Sequence, residues 1–311
     1  MAKTKSAYPK RKKEQKNMAD LKDDFYKRFK RDGGIATEFF FPTTVPLLGG
    51  FSHSGATISL NLSFGTHIVA RKRGDGRVII ADSVSDIDYL TNFSDLNLRT
   101  FPEWVKNIIL SAKDIHGTDK GFELLFKEDS ISDFSPPRLL GAKKVLKDFF
   151  KPSIPHVNLL NGTNCPYYYL ASLMPEKKLV GVNSLTFETI VYDTLNITKK
   201  PIVIRKEKEN FDIPDGFSYK ERARLKKFSS ADNLFYLMKE SRESLLNHIN
   251  SDGMHSLFSV CDDFQGEYNI LPNLSGVIVF MEETKIDKFI ETAESRYEKK
   301  TGKKPAFYIS D

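Results

Sequence analysis

The chain has 311 residues, of which 40% are hydrophobic and 28% are charged. That is enough apolar material to build one large domain or two lobes. No apolar run approaches the roughly 18–20 residues of a membrane span, and no hydrophobic segment follows the basic N-terminus, so we expect neither a membrane protein nor a secreted one. The two cysteines, Cys165 and Cys261, are far apart and lack metal-type spacing. They predict structural thiols in a cytoplasmic protein.

The net charge of +6 is concentrated in the N-terminal segment. Residues 1–34 carry 12 Lys/Arg and 5 Asp/Glu, whereas the remainder carries 35 basic and 36 acidic residues. The run K-R-K-K at 10–13 is of a kind that binds phosphate backbones or anionic lipid, although a solvated leader is the more ordinary interpretation. Nucleic-acid association through residues 1–34 therefore stays open as one hypothesis.

The first third of the chain predicts one helix followed by strands. Leu21, Phe25 and Phe29 are spaced four apart, which predicts a helix over residues 18–31. Four runs with strand-like composition or alternation follow: residues 37–45, 56–62, 66–71 and 77–81. The last two runs are joined by R-G-D-G, and an Asp-Gly pair between strand-like runs predicts that they form a hairpin.

From residue 102 onwards, helical spacing alternates with short apolar runs. The predicted helices are 102–112, 139–150, 234–248 and 285–300, and the predicted strands are 201–205, 275–281 and 305–310. Residues 127–137 are polar and predict a loop. Because hairpins come early and helices are interspersed without a strict β-α-β alternation, we predict an α+β fold with mixed or antiparallel sheets and packed helices.

The common catalytic motifs are absent from the sequence. There is no G-x-G-x-x-G, G-x-x-x-x-G-K-[ST], H-E-x-x-H or G-x-S-x-G pattern. His53 and His67 flank a predicted strand, but ordinary histidines are the simpler interpretation. The acidic pair Asp262 and Asp263 is interpreted as loop polarity. The sequence therefore predicts no metal site.

Several short segments carry a functional signal through their order. They are F-P-T-T-V-P-L-L-G at 41–49, W-V-K-N at 104–107, L-V-G-V-N-S at 179–184, R-A-R at 222–224, M-K-E-S-R-E-S-L at 238–245 and Y-E-K-K-T-G-K-K-P-A-F-Y at 297–308. In this order they resemble the galactokinases, sugar kinases of the GHMP superfamily. The corresponding family signatures read P-G-R-V-N-L-I-G-E-H-x-D, W-x-x-Y, F-V-G-V-x-C, R-A-R-H, M-x-x-S-H-x-S-L and Y-x-x-x-T-G-x-x-P-x-F-Y.

The resemblance spans residues 20–311 and implies a two-lobed GHMP-kinase-like fold. It divides the chain into a basic tail and leading helix at 1–34, an N-terminal lobe at 35–200 and a C-terminal lobe at 201–311. It also implies ATP-dependent transfer of a phosphoryl group to a sugar of the galactose type, with Mg-ATP as the nucleotide.

The first motif keeps its turn but loses its charged side chains. Matched position by position, the family's arginine, glutamate, histidine and aspartate fall on Thr44, Gly50, Phe51 and His53. Gly49 is retained as the turn glycine. The resemblance leaves only Gly49 and His53 as substrate-binding candidates.

The nucleotide loop is also altered. The family's G-L-S-S-S-A loop, whose N–H groups grip phosphate at a helix N-terminus, matches P-P-R-L-L-G at 136–141. Two prolines bring no N–H groups there. The nucleotide or phosphate candidates that remain are Arg138, Gly141, Lys143 and Lys144. The second glycine-rich loop, G-A-G-F-G-G, matches L-P-N-L-S-G at 271–276.

The family's catalytic aspartate falls on Glu188, which keeps a carboxylate on a longer side chain. The leading hypothesis is a galactokinase-like protein that is catalytically impaired and acts by binding a nucleotide, a sugar or an unidentified protein partner. The second hypothesis is an active ATP-dependent kinase for galactose or another small metabolite, with rebuilt loops.

Overall fold

The computed structural model describes residues 17–30, 34–51, 56–116, 120–129, 138–150, 167–194, 197–209 and 211–310. The helices in these ranges are α1 Asn17–Phe29, α2 Glu103–His116, α3 Arg138–Phe150, α4 Phe217–Lys227, α5 Leu234–Leu246, α6 Asp252–Asp263 and α7 Ile286–Thr301. The strands are β1 Thr37–Leu48, β2 Ala56–Lys72, β3 Arg77–Asp82, β4 Asp88–Asn92, β5 Phe122–Glu128, β6 Leu179–Asn183, β7 Thr189–Tyr192, β8 Lys200–Arg205, β9 Glu267–Ile270, β10 Gly276–Met281 and β11 Ala306–Ile309.

The chain divides into two compact units. The first comprises residues 1–40, 66–129 and 138–155, and the second comprises residues 41–65, 130–137 and 156–311. The boundary between the units falls within β1, after residue 40, and within β2, after residue 65. The division into lobes at residues 34 and 200 stays a prediction, because these units are defined by internal contact and not by independent folding.

The predicted hairpin between residues 66–71 and 77–81 is wrong, because β5 lies between β2 and β3. β5 pairs antiparallel with β2 and parallel with β3, so the sheet of the first unit is mixed. The R-G-D-G turn instead receives the start of β5: Arg73 N donates to Gly121 O at 2.9 Å, and Gly121 N donates to Asp75 O at 2.6 Å. A Cβ on Gly121 would lie 1.7 Å from Arg77 O, so glycine is required at this approach.

Helices cover both faces of the sheet in the first unit. Successive side chains of a strand point to opposite faces, and β5 shows this at Leu125 and Phe126. Leu125 belongs to the cluster that α1 closes, whereas Phe126 makes an edge contact with Trp104 of α2 at 5.8 Å. The apolar stripe of α1 in that cluster is the one predicted from the sequence: Leu21, Phe25 and Phe29.

A buried arginine holds the end of α1 on this sheet. Arg71 of β2 is 2% exposed, and its guanidinium donates to the carbonyl oxygens of Phe29 and Lys30 at 3.1 and 2.9 Å. These are carbonyls that the helix itself leaves unpaired. The fully buried carboxylate of Glu123 balances the charge, at 2.6 Å from Arg71 and 2.5 Å from Arg73. Removing that carboxylate would leave a buried cation without compensation.

The second unit contains a four-stranded antiparallel sheet in the order β11-β8-β10-β9. The two faces of β10 enter different clusters. Val277 and Val279 face a cluster that includes α6 and α7, whereas Ile278 and Phe280 face one that includes α5 and β1. The predicted strands at 201–205, 275–281 and 305–310 are confirmed, and β11 pairs with β8 as the C-terminal strand.

Three smaller expectations concern the acidic pair Asp262 and Asp263, the thiol of Cys261 and membrane-spanning helices. Asp262 and Asp263 lie in the last turn of α6, not in a loop. Cys261 is buried, and its desolvation raises the pKa of the thiol, as expected for a structural cysteine. Within the described ranges, no helix combines the length and apolar character that crossing a membrane requires.

We expect E123Q to lower the free energy of unfolding by about 3–5 kcal/mol, because the amide leaves the Arg71 guanidinium buried without its counter-charge. Urea unfolding followed by circular dichroism measures this change. The matched control is E283Q, which removes an exposed carboxylate that pairs with Lys200 at 2.7 Å, and we expect it to cost less than about 1 kcal/mol. Equal, small losses in both variants would contradict the role given to Glu123.

Candidate functional site

Gly49 closes the turn that follows β1 in a conformation that only glycine adopts readily. Its φ is +80°, and a Cβ there would lie 2.4 Å from Ala56 O. Its backbone N donates a 2.8 Å hydrogen bond to Oε1 of Glu221. The retained glycine of the first motif is thus fixed by a side chain from α4.

Glu221 is a buried carboxylate with a full set of partners. It is 1% exposed, and besides Gly49 it accepts a hydrogen bond from Ser241 Oγ at 3.0 Å and one from Arg224 Nη1 at 2.8 Å. Arg224 also donates to Ser244. The first motif, the R-A-R segment and the M-K-E-S-R-E-S-L segment therefore meet at one carboxylate. Sequence reasoning missed Glu221, although it directly precedes the R-A-R segment.

Thr44, at the position of the family's arginine, is committed to an internal hydrogen bond. Its hydroxyl is buried and donates to Asn61 Oδ1 at 2.7 Å. The Asn61 amide in turn donates to the carbonyl oxygens of Ala171, Met174 and Pro175 at 2.7, 3.2 and 3.1 Å. Thr44 and Asn61 therefore hold the segment before β6.

The next two motif positions are occupied by backbone and aromatic packing. A Cβ on Gly50, the position of the family's glutamate, would lie 2.7 Å from Pro46 Cγ and 3.3 Å from Pro272 Cγ. A longer side chain does not fit without displacing proline rings. Phe51, the position of the family's histidine, contacts Phe211 and Phe217 edge-on at 6.2 and 6.1 Å between ring centroids. At these two positions the structure therefore shows internal packing.

Glu188 lies in the turn between β6 and β7 and is exposed. Its carboxylate accepts a 3.0 Å hydrogen bond from the hydroxyl of Thr186, and its backbone O accepts one from Asn183 N. In the described part of the chain, no lysine or arginine forms an ion pair with it. Its catalytic role stays a prediction.

Arg138 begins α3, and two carboxylates hold its guanidinium. Its Nε lies 2.8 Å from Glu128 Oε1 and its Nη2 lies 2.5 Å from Asp82 Oδ2, while its Cζ sits 4.8 Å from the centroid of the Trp104 ring. Burial opposes the charge, but the hydrogen bond to Glu128 and the two carboxylate charges outweigh it and raise the pKa of Arg138. The cation is therefore stabilised within the protein.

The other nucleotide candidates share α3 with Arg138. Gly141 and Lys143 are buried in this helix, and Lys144 pairs with Asp148 one turn later at 2.6 Å. The structure thus brings these four positions together on one element. Gly49 and Glu188 belong to the second unit and lie on separate elements of it.

Several predicted features lie outside the described residues. They are His53, Pro136, Pro137, Cys165 and the basic run at 10–13. The loss of N–H donors at Pro136 and Pro137 therefore stays a prediction, and nucleic-acid association through residues 1–34 stays a hypothesis. Among the residues that are described, no group of three or more His, Cys, Asp or Glu side chains is arranged to hold a metal ion.

His67, interpreted from the sequence as an ordinary histidine, lies between two carboxylates in the first unit. Its Nε2 is 3.0 Å from Asp129 Oδ2 and its Nδ1 is 3.3 Å from Glu38 Oε1. Burial alone would lower the pKa of this imidazole, but the hydrogen bond and charge of Asp129, together with Glu38, outweigh burial and raise it. His67 therefore gains a proton more easily in the folded chain than in the unfolded one.

Solved structures similar to this chain exist, but comparison by sequence finds no match. No family model matches the chain, and no curated protein matches it. Galactokinase from Lactococcus lactis complexed with galactose superposes with a TM-score of 0.72 at 16% identity, over 94% of this chain and 97% of that chain. Mevalonate kinase from Methanococcus jannaschii gives 0.62 at 12% identity, over 90% and 98%. Mevalonate pyrophosphate decarboxylase from Streptococcus pyogenes gives 0.61 at 9% identity, over 90% and 98%.

At these identities the likeness concerns the fold. This chain has the fold of the GHMP-superfamily kinases, and the predicted α+β, GHMP-kinase-like architecture is confirmed.

We expect G49A to lower the free energy of unfolding by about 2 kcal/mol or more, because alanine is strained at a φ of +80° and its Cβ meets Ala56 O. Thermal or urea unfolding measures the loss. G74A is the control, since nothing lies within 4 Å of the Cβ it adds, and it should change stability by no more than about 0.5 kcal/mol. A G49A protein as stable as G74A would show that the turn is not fixed as described.

We expect the stability of the protein to fall as pH rises above about 6.5, the usual pKa of an unfolded histidine. The folded state binds the His67 proton more tightly, so this contribution is complete below the unfolded pKa and is lost as pH rises through the raised folded pKa. Unfolding free energies measured from pH 5 to pH 9 test this. H67Q should flatten the decline, and H248Q, which replaces an exposed imidazole, should keep it. An unchanged slope in H67Q would refute the assignment.

Proposed function

We propose that this chain is a galactokinase-like protein of the GHMP superfamily that has lost phosphoryl transfer and acts by binding, as a pseudokinase. The proposal combines a fold shared with galactokinase and mevalonate kinase structures with the side chains found at the positions that would do the chemistry. A transferred phosphoryl group needs charge stabilisation, a placed metal ion and an aligned nucleophile.

The observation that carries the proposal is the occupation of the first motif. The hydroxyl of Thr44 is buried and bonded to Asn61, Gly50 has no room for a side chain beside Pro46, and Phe51 packs among aromatic rings. A hydroxyl offers one neutral donor where an arginine offers a charged fork of donors. These positions therefore supply no charge to a sugar or a phosphate.

Two cations of α3 are engaged inside the protein. Arg138 is held by Glu128 and Asp82, and Lys144 is held by Asp148. A nucleotide phosphate would have to displace these carboxylates, which would then repel it at close range. As placed, Arg138 and Lys144 do not fit the phosphates of Mg-ATP.

The carboxylate at Glu188 lacks the surroundings of an effective base. It is exposed in a turn, and its described partner is the hydroxyl of Thr186. A general base contributes mainly when it is held within hydrogen-bond reach of the proton that it removes. An exposed side chain on a turn has more rotameric freedom than that role tolerates.

Each of these losses is large for a reaction that depends on preorganised charge. Removing one oxyanion-type donor costs on the order of 10²-fold or more in rate. Such losses are not additive, but two or three together bring turnover close to the uncatalysed background. The fold, by contrast, does not depend on the charged side chains that are missing.

We expect no transfer of labelled γ-phosphate from Mg-ATP to galactose by the purified protein, and no difference between wild type and E188A. The galactokinase of Lactococcus lactis, assayed in parallel, serves as the positive control. Circular dichroism establishes that each variant is folded.

Turnover that E188A abolishes and E176A preserves would overturn the pseudokinase proposal. Glu176 is the matched control because it is another exposed glutamate, located just before β6. That outcome would support the active kinase with rebuilt loops. Turnover that both variants preserve would also refute the proposal and would place the base elsewhere.

A further inference from the structure

A cavity of about 240 Å³ opens in the second unit beside β2, β8, β10 and the end of β11, and Thr194 and residues 197–199 also line it. None of the residues discussed above as catalytic, sugar-binding or nucleotide-binding candidates lines it. The cavity is smaller than the pockets that hold drug-sized ligands, which are roughly 300–1,000 Å³. Its volume suits a small metabolite.

The cavity has an apolar floor and a cationic rim. Leu60 and Phe280, both buried, and Ile197 supply the apolar surface, whereas Lys177, Lys199 and Lys200 supply the charge. Among the described residues that line the cavity there are these three lysines and no aspartate or glutamate. A cavity that pairs an apolar floor with a cationic rim selects ligands that have both an apolar body and a negative group.

Lys177 is held in a backbone conformation that is unusual for its type. Its φ is +56°, in the left-handed region that non-glycine residues rarely adopt. Its N donates to Asn61 O at 2.8 Å, and its O accepts from Thr194 Oγ1 at 3.0 Å. Two hydrogen bonds thus fix this backbone conformation at the cavity. Strained conformations that are held by their surroundings are typical of positions where the placement of the side chain matters.

The three lysines differ in their internal partners. Lys199 lies 3.8 Å from Glu267, and Lys200 lies 2.7 Å from Glu283. Within the described part of the chain, no carboxylate comes within ion-pairing distance of Lys177. Lys177 is therefore the rim cation whose charge is least compensated by the protein.

We propose that this cavity binds a small organic phosphate, with the phosphate at Lys177 and an apolar group against Leu60 and Phe280. The Lys177 ammonium can donate charge-assisted hydrogen bonds to the phosphate, and the apolar floor adds affinity that inorganic phosphate cannot gain. The proposal does not depend on the kinase-like reaction, because it concerns different residues and needs neither ATP nor a sugar.

Isothermal titration with phenyl phosphate tests this site, with inorganic phosphate and phenol as partial ligands. Phenyl phosphate should bind tightest, inorganic phosphate more weakly and phenol not measurably. K177Q should raise the Kd for phenyl phosphate on the order of tenfold, the effect of one charge-assisted contact. K178Q is the matched control: its side chain pairs with Asp193 at 3.0 Å and does not line the cavity, so the Kd should stay within about twofold of wild type.

Added salt should weaken binding, because the rim is open to solvent. K199Q repeats the test at a second rim position and remains informative if K177Q is poorly folded. Equal affinity of wild type, K177Q and K199Q would overturn the site. Inorganic phosphate binding as tightly as phenyl phosphate would overturn the role given to the apolar floor, and equal losses in K177Q and K178Q would show a general charge effect instead of a site.

Discussion

The hydrogen-bond network around the buried carboxylate of Glu221 is the interaction on which the organisation of the second unit depends. A carboxylate that is 1% exposed is costly unless it is paired and hydrogen-bonded. Arg224 provides the opposite charge, and the Gly49 N–H and the Ser241 hydroxyl provide donors. Each partner comes from a different segment of the chain, so satisfying one charge fixes the turn after β1 against α4 and α5.

This arrangement explains which parts of a kinase-like sequence are present here. Gly49, Arg224, Ser241 and Ser244 are positions at which the chain resembles the galactokinases, and all of them belong to the Glu221 network. They are needed for folding whether or not a reaction takes place. Positions such as Thr44 and Phe51, which differ from the family, are filled by internal contacts. The Glu221 network and the positions that differ from the family therefore consist of different residues.

The sequence predicted elements where a local pattern decides the structure. The apolar spacing of α7 and the continuous apolar run of β10 are both found where expected. The hairpin failed because β5, some forty residues further on, enters between β2 and β3, and no local pattern reports such a long-range pairing. The candidate site gives a second example of a long-range contact that no local pattern reports. The Gly49 turn was predicted, but Glu221, the carboxylate that accepts its hydrogen bond, was not.

Helix α4 was missed for a related reason. Its sequence, F-S-Y-K-E-R-A-R-L-K-K, has little apolar periodicity, and two of its buried residues are Glu221 and Arg224. An ion pair three residues apart replaces the usual apolar stripe. Charged residues at such positions usually face solvent, so the sequence pattern did not predict this helix, which organises the candidate site.

The most direct test of the central claim is the galactose dependence of the unfolding temperature of the wild-type protein. A ligand that binds only the folded state raises stability in proportion to RT ln(1 + [L]/Kd). We expect no shift in Tm up to high galactose concentration, since Thr44, Gly50 and Phe51 are committed to internal contacts, whereas the galactokinase of Lactococcus lactis should respond under the same conditions. A saturable rise in Tm with galactose would contradict the claim that this chain retains the fold without the sugar site.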